Sequence, residues 1–256
     1  MGFFDSISKG WEFMKQALAM ARDDRSLLKP SVYQVLLSIV YWVIWVGVFI
    51  GADIDPESST GAILGAVSLF GSFLIFYFFC GVTVNMIDVH LRGGTPSVKD
   101  GIADARQNFG AICVLALIST FVELLAKAAR RRGEGGAAIV TSIIASIIET
   151  IWTVVAFLLL PAIIIEDCSL GDALKRVRAL HKGNFLLVGL GEVGVRVVTN
   201  LFGFLVTLLI FGLGYVSFAV LGGTAGLVIG ILSIGTVLSL FIAFATYLRM
   251  AYYTCL

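Results

Sequence analysis

Six long apolar runs dominate this chain and leave few folds open to it. They fall at about 31–52, 61–87, 109–128, 136–165, 185–211 and 222–250. Each reaches the roughly 20 residues that an α-helix needs to cross a hydrocarbon core about 30 Å thick. Inside lipid every backbone N–H and C=O must be paired within the protein, so only helices and closed barrels can span. The runs are continuous rather than alternating, which favours helices. Composition agrees: 59% of the residues are hydrophobic and 14% charged, where a soluble domain carries roughly a quarter charged residues. The expected fold is an all-α integral membrane protein with six transmembrane helices.

Residues 1–30 read differently from residues 31–256, which hold the six spans. Phe4, Ile7, Trp11, Met14, Leu18 and Ala21 recur every three or four positions, with Asp5, Lys9, Glu12, Lys15, Gln16 and Arg22 between them. That pattern predicts an amphipathic helix lying in the membrane interface. Two further segments resemble each other. SVKDGIADARQNF (97–109) and SLGDALKRVRALHKGNF (169–185) each open on Ser with Asp three residues later and close on Asn-Phe at the start of a span. Ser97 and Ser169 are natural N-caps. Val98, Ile102 and Ala105 share one face of the first, and Leu170, Leu174 and Val177 one face of the second. The expected architecture is three hairpins of spans, each preceded by a cytosolic amphipathic interfacial helix.

Lysine and arginine in the short connections set orientation. They gather before the first span (Lys9, Lys15, Arg22, Arg25, Lys29), after the second (Arg92, Lys99, Arg106) and after the fourth (Lys175, Arg176, Arg178, Lys182). The first connection is acidic, with Asp53, Asp55 and Glu57. Both termini are therefore expected in the cytoplasm. The connection holding Lys127, Arg130, Arg131, Arg132 and Glu134 conflicts with this, because it falls on the outer side.

The stretch IETIWTVVAFLLLPAIIIEDCSLGDALKRVRALHKGNF (148–185) resembles the signature region of an uncharacterised six-span prokaryotic membrane family, a domain of unknown function. Trp152, Pro161, Glu166, Ala173, Leu174, Lys175 and Arg176 carry the resemblance, and Trp11 with LLKP at 27–30 fits that family's opening. More distantly the arrangement is similar to the membrane domain of some glycerophosphodiester phosphodiesterases. The resemblance implies the fold and a prokaryotic plasma (inner) membrane. It implies no activity.

The chemistry is read by elimination. The sequence carries no HExxH, GxSxG or phosphate-binding lysine motif, and its two histidines and four cysteines form no metal-binding or disulfide pattern. No catalytic residue, metal, cofactor or nucleic-acid partner is expected. Gly222, Gly226 and Gly230, like Gly61 and Gly65, are spaced for close helix packing. The intramembrane charges Glu123, Glu149, Glu192 and Arg196 remain. Charge facing lipid costs at least about 2.5 kcal/mol, so these groups should face protein or water. Glu192 and Arg196, four apart, are expected to pair near the midplane and fix helix register, and Arg196 reaching Glu149 is the other arrangement considered. Lys9, Lys15, Lys175, Arg176, Arg178, Lys182 and Arg130–Arg132 are candidates for anionic lipid headgroups. The expected role is structural, lipid-associated and membrane-organising, in a homo-oligomer. The alternative is a channel or transporter for an ion or small solute using Glu192, Arg196 and Glu149.

Overall fold

A computed structural model describes residues 3–132, 136–180, 185–221 and 223–255. Among these every regular element is helical, and six helices are long and apolar enough to cross a membrane. The chain divides into two compact units, Leu36–Leu180 and Met1–Val35 with His181–Leu256.

The Leu36–Leu180 unit holds most of α2 (Lys29–Gly51), then α3 (Ser59–Leu91), α4 (Val98–Gln107), α5 (Phe109–Arg132), α6 (Gly136–Ile165) and α7 (Leu170–Leu180). The acidic first connection serves as a cap. Asp55 Oδ1 accepts from the Glu57 amide at 2.9 Å, and Ser58 Oγ accepts from the Gly61 amide at 2.9 Å, which starts α3. The core forms where α3, α5 and α6 meet, with Met86, Ile87, Ile112, Leu115, Leu160 and Ile163 fully buried. The outward faces are just as apolar: Val43, Ile63, Leu117, Phe121 and Ile143 are all exposed. Such a surface is stable only against lipid.

The two similar segments fold alike. Ser97 Oγ accepts from the Asp100 amide at 3.4 Å, and Ser169 Oγ from the Asp172 amide at 3.3 Å. Each helix then buries the residues four and eight beyond its capping serine, Gly101 and Ala105 in α4 and Ala173 and Val177 in α7. Ala105 and Val177 are buried, while Leu174 is 52% exposed. Small residues take the inner face because α4 lies close on α3: a side chain at Gly101 would meet the Val82 carbonyl oxygen at 3.2 Å.

The other unit contains α1 (Phe3–Asp23), a 3-10 turn (Arg25–Leu28), the start of α2, α8 (Phe185–Leu221) and α9 (Gly223–Thr254). Asp24 caps the turn by accepting from the Ser26 amide at 2.8 Å. The apolar stripe of α1 is divided. Met14, Ala17 and Ala21 are buried, while Trp11 and Leu18 stay exposed. Trp11 stacks on Phe202 of α8, and Phe13 meets the Tyr252 ring of α9 edge-on. Tyr247 donates to the Ala17 carbonyl at 3.0 Å. Helical partners thus cover much of the face expected to lie on lipid.

One span boundary changes. The fifth span, expected to end at 211, continues unbroken to Leu221. The glycines also divide. A Cβ at Gly230 would meet Ser217 Cβ of α8 at 3.5 Å, and Gly226 is buried. Gly61 instead leaves room for Pro56 Cα, which a Cβ would meet at 2.9 Å, so it serves the loop before α3. Gly65 has open space beside it, and Gly222 lies outside the described residues.

Candidate functional site

The polar groups of the Leu36–Leu180 unit gather along the seam between α5 and α6. Its inner end is a knot of three helices. The Ser119 hydroxyl donates to the Leu115 carbonyl at 2.9 Å. It accepts from the Trp152 indole at 2.8 Å and meets the Tyr77 hydroxyl at 2.8 Å. One proton and two lone pairs are the whole capacity of a hydroxyl, so Ser119 is saturated. Tyr77 stacks on Phe73, and Phe76 meets Phe157 edge-on, which closes the knot with apolar contact.

Farther along α5, Lys127 pairs with Glu123 at 3.5 Å, an i, i+4 bridge on one helix. Arg130 pairs with Glu149 of α6 and reaches the Ser146 hydroxyl at 3.3 Å. The register set by Ser119 and Trp152 puts Arg130 about two turns nearer the helix ends than Glu149. The arginine side chain therefore runs inward, against the usual tendency to reach for headgroups. Glu149 draws it there because an unpaired carboxylate in a span is costly. Glu149 Oε2 takes the arginine, while Oε1 is buried without a hydrogen-bond partner. Arg130 and Glu149 thus meet each other, and Glu123 meets Lys127.

Arg196 lies in the other unit. Gly203 against Phe241, Gly214 against Ile234 and Ser217 against Gly230 fix an antiparallel register of α8 on α9. Continued, that register places Arg196 beside the last two turns of α9. Arg196 is half-buried, and the Glu192 side chain, with the expected pairing, lies outside the described residues.

The headgroup candidates differ in freedom. Lys175 bridges Asp172 at 2.9 Å, and Arg176 bridges Glu166 at 2.9 Å. Arg178 is exposed, and Lys15 sits 5.6 Å over the Trp11 ring. The side chains of Lys9, Arg131, Arg132 and Lys182 lie outside the described residues.

Sequence reading missed a second polar cluster, where α4 meets the α6–α7 turn. Asn108 caps the C-terminus of α4 and donates to Asp167 at 2.7 Å. Asp104 lies beside them with Oδ2 buried and without a hydrogen-bond partner. Burial, and then the nearby Asp167 carboxylate, push the Asp104 carboxyl above the usual range, against a hydrogen bond from Asn85. The repeated Asn-Phe was the visible signal, but Asp167 is 59 residues away in sequence and no local pattern joins the two. No group of three or more metal-ligating side chains occurs among the described residues.

No curated protein matches the chain. The family of unknown function DUF6159 matches residues 62–255. That stretch runs from early in α3 to the end of α9, and it contains both the seam and the Asn108 cluster. It leaves out α1 and α2, so Trp11 and the LLKP segment lie beyond the match. The matched residues make up well over half of the chain, and the chain belongs to this family of unknown function.

Proposed function

We propose that this protein is a structural, lipid-associated and membrane-organising component, without catalytic activity, that acts as a homo-oligomer. The membrane is the plasma membrane of a prokaryotic cell, with both termini in the cytoplasm. The saturation of Ser119 carries this reading. A transport site keeps polar groups facing a cavity, whereas here the hydroxyl at the meeting of three helices has no capacity left for a solute. The cavity beside the seam is lined by hydrocarbon. The interfacial helices α4 and α7 supply a surface for anionic lipid: Leu174 and Arg178 are exposed on the same element. Self-association has room at Gly65 of α3 and Gly235 of α9, where nothing lies beside the helix backbone.

One observation favours a different reading, a channel or transporter using Glu149 with Glu192 and Arg196. The Oε1 atom of Glu149 is buried without a hydrogen-bond partner, as a group awaiting an ion would be. Reconstitution of the full chain into vesicles of phosphatidylglycerol and phosphatidylcholine separates the two. The structural reading expects ordered assemblies or altered vesicle shape by electron cryomicroscopy, with no ion flux above protein-free vesicles. Dispersed monomers in unaltered vesicles, with a flux that Glu149→Gln removes, would overturn it.

A further inference from the structure

The hydrocarbon-lined cavity lies between α5 and α6, on the opposite side of their contact from the Arg130–Glu149 pair. Its volume is about 250 Å³, and Val122, Leu125 and Ala129 of α5 face Thr141, Ile144 and Ile148 of α6 across it. It opens to the outside of the helix pair, where Ile144 and Leu125 are exposed. Water gains nothing there, since it needs two to four polar partners. The apolar lining and elongated opening suit a stretch of hydrocarbon chain.

Position suits such a chain. From Val122 to Ala129 the groove runs about 10 Å along α5 and ends one residue short of the basic run 130–132. A phospholipid whose phosphate sits level with the helix end would lay the first carbons of one acyl chain along this stretch. The charges at that end suit a single negative group. Lys127, Arg130, Arg131 and Arg132 stand against Glu123, Glu134 and Glu149, which leaves one net positive charge. Lys127 and Arg130 are held by Glu123 and Glu149.

We infer that the α5–α6 groove is a resident site for one anionic phospholipid, with the upper part of an acyl chain between the helices and its phosphodiester at the Arg131–Arg132 end of α5. The inference rests on the lipid-associated part of the proposed function and adds the lipid class and the place.

Native mass spectrometry of the full chain, released from nanodiscs of equal phosphatidylglycerol and phosphatidylcholine, tests it. The expected result is one retained lipid per chain, with phosphatidylglycerol favoured at least tenfold. Ala129→Leu from one wall and Ile144→Trp from the other should each abolish retention of either lipid. Arg131→Gln with Arg132→Gln should keep one lipid and lose the preference. Equal retention of the two lipids by the unaltered protein, or a preference that survives both groove-filling substitutions, would overturn the site. Loss of membrane organisation with lipid retention intact would sink the proposed function and leave this site standing.

Discussion

Ser119 holds three spans together through one hydroxyl, and its replacement isolates the worth of that arrangement. Ser119→Ala leaves the Trp152 indole and the Tyr77 hydroxyl without their shared partner. Interhelical hydrogen bonds in membranes are modest, averaging about 0.6 kcal/mol, and unpaired polar groups cost more. The expected loss is about 1–2 kcal/mol, read from unfolding in mixed micelles, and larger than that of Tyr77→Phe or Trp152→Phe alone. Asp104 makes the second prediction at this scale. Its carboxyl is held above the ordinary range by burial and by Asp167, so the folded protein binds that proton more tightly than the unfolded chain. Its contribution is full below the ordinary carboxyl pKa of about 4 and is lost as pH rises through the elevated folded value. Asp104→Asn should therefore flatten the acidic limb of the stability–pH profile and raise stability at neutral pH. A profile unchanged by the substitution would rule out Asp104 as its source.

At the scale of elements, glycines in neighbouring helices should respond oppositely to the same substitution. Gly101→Ala drives a methyl toward the Val82 carbonyl oxygen at 3.2 Å, and backbone cannot yield as a side chain can. It should destabilise the protein and loosen α4 from α3. Gly110→Ala in α5 meets nothing within 4 Å and should stabilise by about 0.5–1 kcal/mol through reduced chain entropy. Thermal unfolding of the two variants reads both signs. The elements themselves were legible in the sequence, because their signals are local. Apolar run length marks a span, and Ser-x-x-Asp marks a cap, which both repeats form. The end of α8 was not legible, since no local signal marks Leu221 and the helix runs through Gly212 and Gly214. Which residues of α7 pack against protein was not legible, because hydrophobicity does not say which neighbour approaches closely enough to require alanine.

For the whole molecule, even the conflict over orientation has a structural side. Lys127 and Arg130 of the discordant run are paired with Glu123 and Glu149, although the positive-inside rule counts lysine and arginine and gives acidic neighbours little weight. An impermeant maleimide added to intact cells should label Glu57→Cys and spare Lys99→Cys, both at exposed positions. The reverse pattern would invert the molecule. The candidate site was legible only in part for a related reason. Glu123 and Glu149 stand out as charges in greasy runs, but their roles depend on partners chosen by packing. Ser119, Tyr77 and Trp152 meet across 42 and 33 residues, and none is unusual where it stands.

The length of α8 has a consequence for the lipid around it. Its 37 residues make a rod about 55 Å long, apolar for most of its course. Leaning at about 40°, the upper end of what spans adopt, shortens its rise to about 42 Å, close to the full depth of a bilayer with its headgroups. No lean in that range brings it within the hydrocarbon alone. Near this helix pair the membrane must thicken or the helix ends must stand among headgroups, so acyl-chain length becomes a variable to which the protein responds. Longer-chain lipids should gather beside it, and short-chain bilayers should tilt it further.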